Sequence, residues 1–365
     1  MTGKIMTDEK FMAEALKIAK NAEGRTSPNP MVGAVIVKDG RIIAEGWHRK
    51  AGTPHAEVHA LNMAGELAKD STMYVTLEPC SHFGRTPPCA NKIVDAGVKK
   101  VVVAMKDPNP LVAGRGIEIL KSAGIEVEVG ILEDDARRLN EVFLKYITKK
   151  MPFVTAKFAC SLDGKISTVT GESQWISCEE SRKFVHRLRD ISDGIMVGVG
   201  TVLADNPSLT TRLETGKNPV RIVADSMART PLDSKFLNDG AAKNIIAVTA
   251  DAPADKISAL KNLGAEIIIC GDSQQVDLKI LMAELASREI TSVLLEGGGT
   301  LNFSMFRAGL IDKVFAFIAP KIIGGKNALS PVEGGGFKKL IDAVNLKNLN
   351  VEKIGTDILV SGIVC

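Results

Sequence analysis

Residues 79–89 read Pro79-Cys80-Ser81-His82-Phe83-Gly84-Arg85-Thr86-Pro87-Pro88-Cys89, and upstream of them stands His55-Ala56-Glu57. A catalytic zinc needs three protein ligands and an open position for water. One His and two Cys supply that number. Bound zinc brings the pKa of its water to about 7, so hydroxide forms at neutral pH. Glu57 follows His55 by two residues and can sit beside the metal without binding it, free to move the water's proton. The local pattern fixes where these groups lie. His55 to Leu67 reads as a helix, Met73 to Leu77 as a strand, and Cys89 to Ala96 as a helix closed by Gly97. The ligands therefore stand at helix starts and at a strand end.

Outward from this stretch, strands and helices alternate. Thr7 to Gly24 reads as a helix with Phe11, Met12, Ala15, Leu16, Ile18 and Ala19 on one face. Val32 to Val37 and Ile42 to Gly46 flank an Asp39-Gly40 turn, a hairpin signal. Lys100 to Met105 is a buried strand, Ile117 to Ala123 a helix, Ile125 to Val129 extended, and Glu133 to Lys149 one helix. Lys149-Lys150-Met151-Pro152 is the expected boundary, giving domains 1–151 and 152–365. Beyond it, strands are expected at Phe153 to Phe158, Gly194 to Val199, Val220 to Ala224, Ile245 to Val248, Ile267 to Ile269 and Ser292 to Leu295. Helices are expected at Glu179 to Asp190, Ala254 to Leu263 and Asp277 to Arg288. After Lys313 the pattern turns to strands and Gly-rich turns. Both halves read as α/β with sheets covered on both faces.

Composition narrows the function. The chain has 365 residues, 45% hydrophobic and 24% charged, with a net charge of +3. That balance suits a soluble two-domain protein and argues against a dedicated nucleic-acid binder. No stretch is long and apolar enough to span a bilayer, and the polar N-terminus lacks a signal-peptide core. A cytoplasmic protein is expected. Its six cysteines then suit thiols or metal ligands better than disulfides.

The order H-x-E followed by P-C and a second Cys resembles the zinc nucleobase deaminases. The eight residues between Cys80 and Cys89 depart from the usual two. That insert resembles the deaminase domain of the bifunctional deaminase/reductase family of riboflavin biosynthesis, as do Pro28-Asn29-Pro30-Met31-Val32-Gly33, Gly46-Trp47-His48, His55-Ala56-Glu57-Val58-His59-Ala60 and Asp107-Pro108-Asn109-Pro110. The resemblance implies a cytidine-deaminase-like three-layer domain with a mixed sheet. It implies His55, Cys80 and Cys89 as zinc ligands, Glu57 as proton shuttle, and Asn29, His48, Arg85, Asp107 and Asn109 as substrate contacts. Asn29 offers a donor and an acceptor to a base edge, and Arg85 a cation to a phosphate. His82 and His59 are rival ligands by position, and Asp107 to Pro110 also reads as a plain turn.

In the second half, Val293 to Glu296 runs into Gly297-Gly298-Gly299-Thr300 and an apolar helix. Such a turn exposes backbone N–H groups where the helix dipole favours an anion, although three glycines also make an ordinary turn. No Rossmann fingerprint follows an early strand. Lys157 to Lys165, Gly171 to Ser177, Gly200 to Pro207 and Leu209 to Arg212 resemble the reductase domain of the same family. That implies a dihydrofolate-reductase-like α/β domain. It implies NADPH contacts from Ala159, Trp175, Thr201, Asp205, Ser226 and Gly298, Gly299, Thr300, Leu301, Asn302, Phe303 and Ser304. Substrate contacts would come from Ser173, Arg189, Leu209, Arg212 and Glu296. The basic cluster around Arg189 also reads as a solvated helix face.

The resemblance implies two steps on a pyrimidine ribosyl phosphate, hydrolytic deamination and then hydride transfer from NADPH to C1′ of the ribose. Asp205 and Glu296 are the candidate proton donors of the second step. Two other readings stay open. One is a polynucleotide deaminase, which the near-neutral charge and long Cys80–Cys89 spacing oppose. The other is a module with structural zinc, which normally has four protein ligands. A homo-oligomer, dimer or tetramer, is expected; no nucleic-acid or membrane partner is.

Overall fold

The computed structural model describes residues 7–81, 88–109 and 113–365. The chain divides into two compact units, Met1–Lys150 and Met151–Cys365.

The first unit runs α1 (Asp8–Ala19), β1 (Gly33–Lys38), β2 (Arg41–Trp47), α2 (Ala56–Ala64), β3 (Thr72–Val75), α3 (Cys89–Asp95), β4 (Lys100–Val103), α4 (Arg115–Ser122), β5 (Glu126–Val129), α5 (Glu133–Leu139) and α6 (Glu141–Lys149). Its strand order is β2-β1-β3-β4-β5. β1 is antiparallel to β2 and β3, while β3, β4 and β5 are parallel. Two glycines set the layers. A Cβ on Gly33 would lie 2.0 Å from the Ala15 carbonyl of α1, and one on Gly46 would lie 2.4 Å from the Ala56 carbonyl of α2. Gly46 pairs with Ala34, the neighbour of Gly33, so the two glycines face opposite sides of the sheet. The result is the expected three-layer unit, with Val35, Ile36, Met73, Val101 and Val102 wholly buried.

One expected helix is two. Glu133 to Lys149 breaks at Asn140, which leaves helical geometry at φ −109° and ψ 25°. Its buried side chain accepts from the Met31 backbone N–H at 2.8 Å and donates to the Met31 carbonyl at 3.0 Å. A side chain that mimics a strand partner outweighs the propensity of the run around it. Asn140→Ala leaves two Met31 backbone groups unpaired. We expect it to cost about 1–3 kcal/mol, read as a lower unfolding midpoint of the first unit.

The second unit runs β6 (Phe153–Ser161), α7 (Glu179–Ile191), β7 (Gly194–Gly198), α8 (Val199–Asp205), β8 (Val220–Ala224), α9 (Lys235–Asn238), β9 (Asn244–Val248), α10 (Ala254–Asn262), β10 (Glu266–Ile269), α11 (Leu278–Ser287), β11 (Ser292–Leu295), α12 (Gly299–Arg307), β12 (Lys313–Ala319), β13 (Leu346–Ile354) and β14 (Asp357–Val364). The sheet order is β10-β9-β8-β7-β11-β6-β12-β14-β13. All pairs from β10 through β12 are parallel, and β14 is antiparallel to both its neighbours. Alternate residues feed separate cores: Met196 and Leu295 on one face, Ile195 and Val197 on the other. β11 inserts between β7 and β6, so the order of connection reverses there. In open α/β sheets, ligands bind at the strands' carboxyl ends at such a reversal. No helix among the described residues is long and apolar enough to cross a membrane.

Candidate active sites

In the first unit, His55 caps the start of α2, Cys80 follows β3, and Cys89 opens α3. His55 Nδ1 lies 3.5 Å from Cys80 Sγ and 3.3 Å from Cys89 Sγ. All three donor atoms fall within 4.8 Å of one another. A tetrahedral zinc with Zn–N near 2.0–2.1 Å and Zn–S near 2.3 Å sets N···S at about 3.5 Å. The residues therefore fit the metal in kind and in spacing. His59, one turn along α2, is outside the cluster, and its Nε2 is buried without a partner. His82 and Arg85 lie outside the described residues.

The site's electrostatics favour metal binding. The Cys80 thiol is brought down to about 4, first by the hydrogen bond from Cys89 and then by His55. The same contact and burial raise Cys89, so the pair shares one proton. His55 is raised, chiefly by its hydrogen bond with Cys80. Glu57 is 3% exposed, and burial pushes its carboxyl up to about 7, against the pull of His55. It stands in hydrogen-bond contact with Cys89.

Around this centre the structure gathers other expected residues. The His48 ring meets the His55 ring edge-on at 5.2 Å between centroids. His48 Nε2 lies 3.1 Å from Asn29 Nδ2, and its Nδ1 lies 3.2 Å from the Pro54 carbonyl. The amide donates, so Nε2 accepts and Nδ1 carries the proton. Burial lowers the His48 pKa, which keeps the ring neutral. Asp107 and Asn109 form one turn, the Asn109 N–H donating to Asp107 Oδ1 at 2.8 Å.

In the second unit the expected cofactor residues collect at the carboxyl ends of the parallel strands. Ala159 is near the end of β6, Thr201 and Asp205 are on α8 after β7, and Ser226 follows β8. Gly298 caps α12, whose first turns hold Gly299, Thr300, Leu301, Asn302, Phe303 and Ser304. A Cβ on Gly298 would lie 3.6 Å from Thr201 Oγ1, which brings the two segments together. Trp175 is 57% exposed, with the Arg182 guanidinium 4.6 Å over its ring. Ser226 Oγ accepts from the Val276 N–H at 3.1 Å.

The expected substrate residues include a buried ion cluster. Arg189 holds Glu296 through two bonds, at 2.7 and 3.0 Å, and donates to the Thr210 carbonyl at 3.0 Å. Leu209 is buried with φ 53°, and Arg212 is exposed beside it. Ser173 lies in the segment before α7. Lys157, quoted in the β6 string but given no role there, has its Nζ 3.7 Å from Glu296 Oε2. Burial would raise Glu296, but Arg189 and then Lys157 outweigh it and bring the carboxyl down to about 2. On Lys157 burial wins over the attraction of Glu296, and its pKa falls. The bidentate geometry makes Arg189 the firm partner and leaves Lys157 the more labile proton. Burial likewise brings His186, on the same face of α7 as Arg189, down to about 4.

Comparison with known proteins matches a different family model to each half of the chain. Residues 5–105 match the cytidine and deoxycytidylate deaminase zinc-binding region, and residues 152–360 match the RibD C-terminal domain. The chain is 46% identical over 362 residues to the riboflavin biosynthesis protein RibD of Actinobacillus pleuropneumoniae, covering 99% of this chain and 96% of that one. It is 42% identical to its Escherichia coli K12 counterpart, covering 97% and 98%. Among solved structures, RibD of Acinetobacter baumannii, form 1, is 42% identical and superposes with a TM-score of 0.88, covering 98% of this chain and 99% of that one. A Thermotoga maritima diaminohydroxyphosphoribosylaminopyrimidine deaminase/5-amino-6-(5-phosphoribosylamino)uracil reductase is 38% identical, with a TM-score of 0.87 and 98% of each chain covered.

Proposed function

The chain belongs to the RibD family of riboflavin biosynthesis, and from that membership we infer which of its residues carry the two reactions. It is a bifunctional enzyme, a zinc deaminase and an NADPH-dependent reductase acting on a small pyrimidine phosphate. The substrate is the diaminopyrimidinone ribosyl phosphate. It loses its ring amine as ammonia and then has its ribosyl reduced to a ribityl chain, giving 5-amino-6-(5-phosphoribitylamino)uracil.

His55, Cys80 and Cys89 would hold the zinc, which would supply the Lewis acidity that makes water a nucleophile at neutral pH. The observation that carries this reading is the His–Cys–Cys cluster with the buried Glu57 carboxyl in contact with Cys89. Glu57 takes the water proton and returns it toward the leaving amine. His48, locked as a neutral ring between Asn29 and Pro54, presents the pyrimidine with a fixed edge. Asn29, Arg85, Asp107 and Asn109 hold base, phosphate and ribose.

In the reductase, NADPH supplies the hydride. Gly298 to Ser304 at the start of α12, with Ala159, Trp175, Thr201, Asp205 and Ser226, would bind the cofactor, the backbone N–H groups opening α12 suiting its phosphates. Arg189 and Arg212 would bind the substrate phosphate, and Ser173 and Leu209 are the further expected contacts. Glu296 is ionised by its neighbours and so is a poor proton donor. Asp205, the other expected candidate, and Lys157, 3.7 Å from Glu296, are then the groups to supply one. A coupled assay reading ammonia and NADPH absorbance together tests the whole: ammonia must appear first and NADPH fall afterward. No ammonia from zinc-loaded wild type overturns the deaminase assignment.

The enzyme works in the cytoplasm, where the thiols of its six free cysteines stay reduced, and it assembles with itself. β13 is an edge strand whose Leu349 and Val351 are 61% and 64% exposed, and the preceding turn shows Leu340 and Ile341 at 94% and 85%. An open apolar edge is a template for association. Light scattering should give a dimer or tetramer, and Leu349→Lys with Val351→Lys should shift it to monomer. A monomeric wild type overturns this reading.

A further inference from the structure

Glu78 stands two residues before the zinc ligand Cys80 and is only 4% exposed. Its backbone N–H donates to the Met105 carbonyl at 3.0 Å, tying it to the end of β4. Its carboxylate accepts four backbone N–H bonds from a different segment. Oε2 takes those of Asp107 at 3.2 Å and Gly114 at 3.0 Å. Oε1 takes those of Gly116 at 3.0 Å and Ile117 at 3.4 Å.

These bonds clasp both ends of one loop. Asp107 begins the segment that carries Asn109, and Gly114 to Ile117 begins α4. Gly114, which caps α4, has no side chain to satisfy the first-turn N–H groups, and Glu78 does so from the segment after β3, at the positive end of the helix dipole. The approach is close: a Cβ on Gly116 would lie 1.9 Å from the Pro79 carbonyl. Within the loop, Asp107 Oδ1 accepts from Asn109 N–H, and the Asn109 carbonyl accepts from Ala113 N–H at 3.0 Å.

We propose that Glu78 is a positioning residue of the deaminase, fixing the Asp107–Asn109 substrate loop at a set distance from the metal ligand Cys80. The proposal rests on the assignment of Asp107 and Asn109 to the substrate. One carboxylate thus links the end of the substrate that reacts at the metal to the end held by the loop. It acts by holding the loop in place relative to Cys80.

Glu78→Gln keeps the shape but turns an NH2 toward two of the four donors. The test measures ammonia release against substrate concentration in the full chain, with zinc content alongside and NADPH oxidation on the deaminated intermediate as a check of the second unit. The expected result is a KM raised at least about tenfold, with kcat and zinc content close to wild type. Glu78→Asp, charged but shorter, should fall between wild type and Gln, and it replaces Gln should that variant not accumulate. In an Asn109→Ala background the further effect of Glu78→Gln should shrink well below its effect in wild type, because both act through one loop and only Asp107 remains on it to be positioned. Loss of zinc, or a fall in kcat at unchanged KM, overturns the proposal and makes Glu78 a support of the metal site. Equal KM effects in both backgrounds also overturn it. A wild-type KM for Glu78→Gln beside a raised KM for Asn109→Ala removes the role of Glu78 alone. A wild-type KM for Asn109→Ala removes the substrate assignment and the proposal together.

Discussion

Glu57→Gln stops ammonia release, with an expected fall of about 10²- to 10⁴-fold, the usual contribution of a positioned general acid–base group. The carboxyl has three properties that the amide lacks or cannot use. It is buried, so no bulk water can stand in for it. It is ionisable, and burial raises its pKa toward neutrality, whereas an amide neither takes up nor releases a proton. It is not one of the three clustered ligands, so its loss leaves the metal donors in place. Gln matches its volume, and packing around α2 should not change. Zinc content should therefore stay at the wild-type value while ammonia release collapses. NADPH oxidation should resume once deaminated intermediate is supplied, since those residues belong to the other unit. A variant that keeps more than half of wild-type deamination would remove Glu57 from the proton path. One that loses zinc would make it a support of the metal instead.

Why this residue could be found from sequence and others could not follows from how each is placed. His55, Glu57, Cys80 and Cys89 sit at helix starts and a strand end whose boundaries local pattern gives to within a residue or two. The fold brings together groups that the pattern already marks. The Asp39-Gly40 hairpin and the second-unit strands were readable for the same reason: period and turn residues are local. Lys157 is different. Its meaning depends on β11 inserting beside β6, with Leu295 paired to Ala156, so that Glu296 arrives next to it from far along the chain. Strand order is a long-range choice that no local period encodes. Asn140 and Glu78 were silent likewise. Each spends its side chain on backbone N–H and C=O groups, which every residue carries, so no partner type in the sequence gives them away.

That long-range pairing makes Glu296→Gln the second large effect. The carboxylate lies between Arg189 and Lys157, with side-chain exposures of 11% for Glu296 and 16% for each cation. Removing its charge leaves two cations buried and facing each other. Breaking a buried pair on one side costs about 3–5 kcal/mol, and here the surviving charges also repel. The second unit should unfold earlier at pH 7, and reduction should fail because Arg189 no longer holds the Thr210 turn beside Leu209 and Arg212. Ammonia release in the first unit should persist. The pH dependence gives an independent check. Glu296 falls from its ordinary 4.5 to about 2 in the folded protein, so its contribution is complete above about pH 4.5 and is lost as pH drops toward 2. Wild type and Glu296→Gln should therefore differ most at neutral pH and converge in acid. A gap that stays constant down to pH 2 would mean that the ionisation of Glu296 is not what stabilises the unit, and that its carboxyl is not held down by Arg189 and Lys157. Convergence near pH 2, with reduction lost and deamination kept, would fix the ionised carboxylate as the element that orders the substrate cleft.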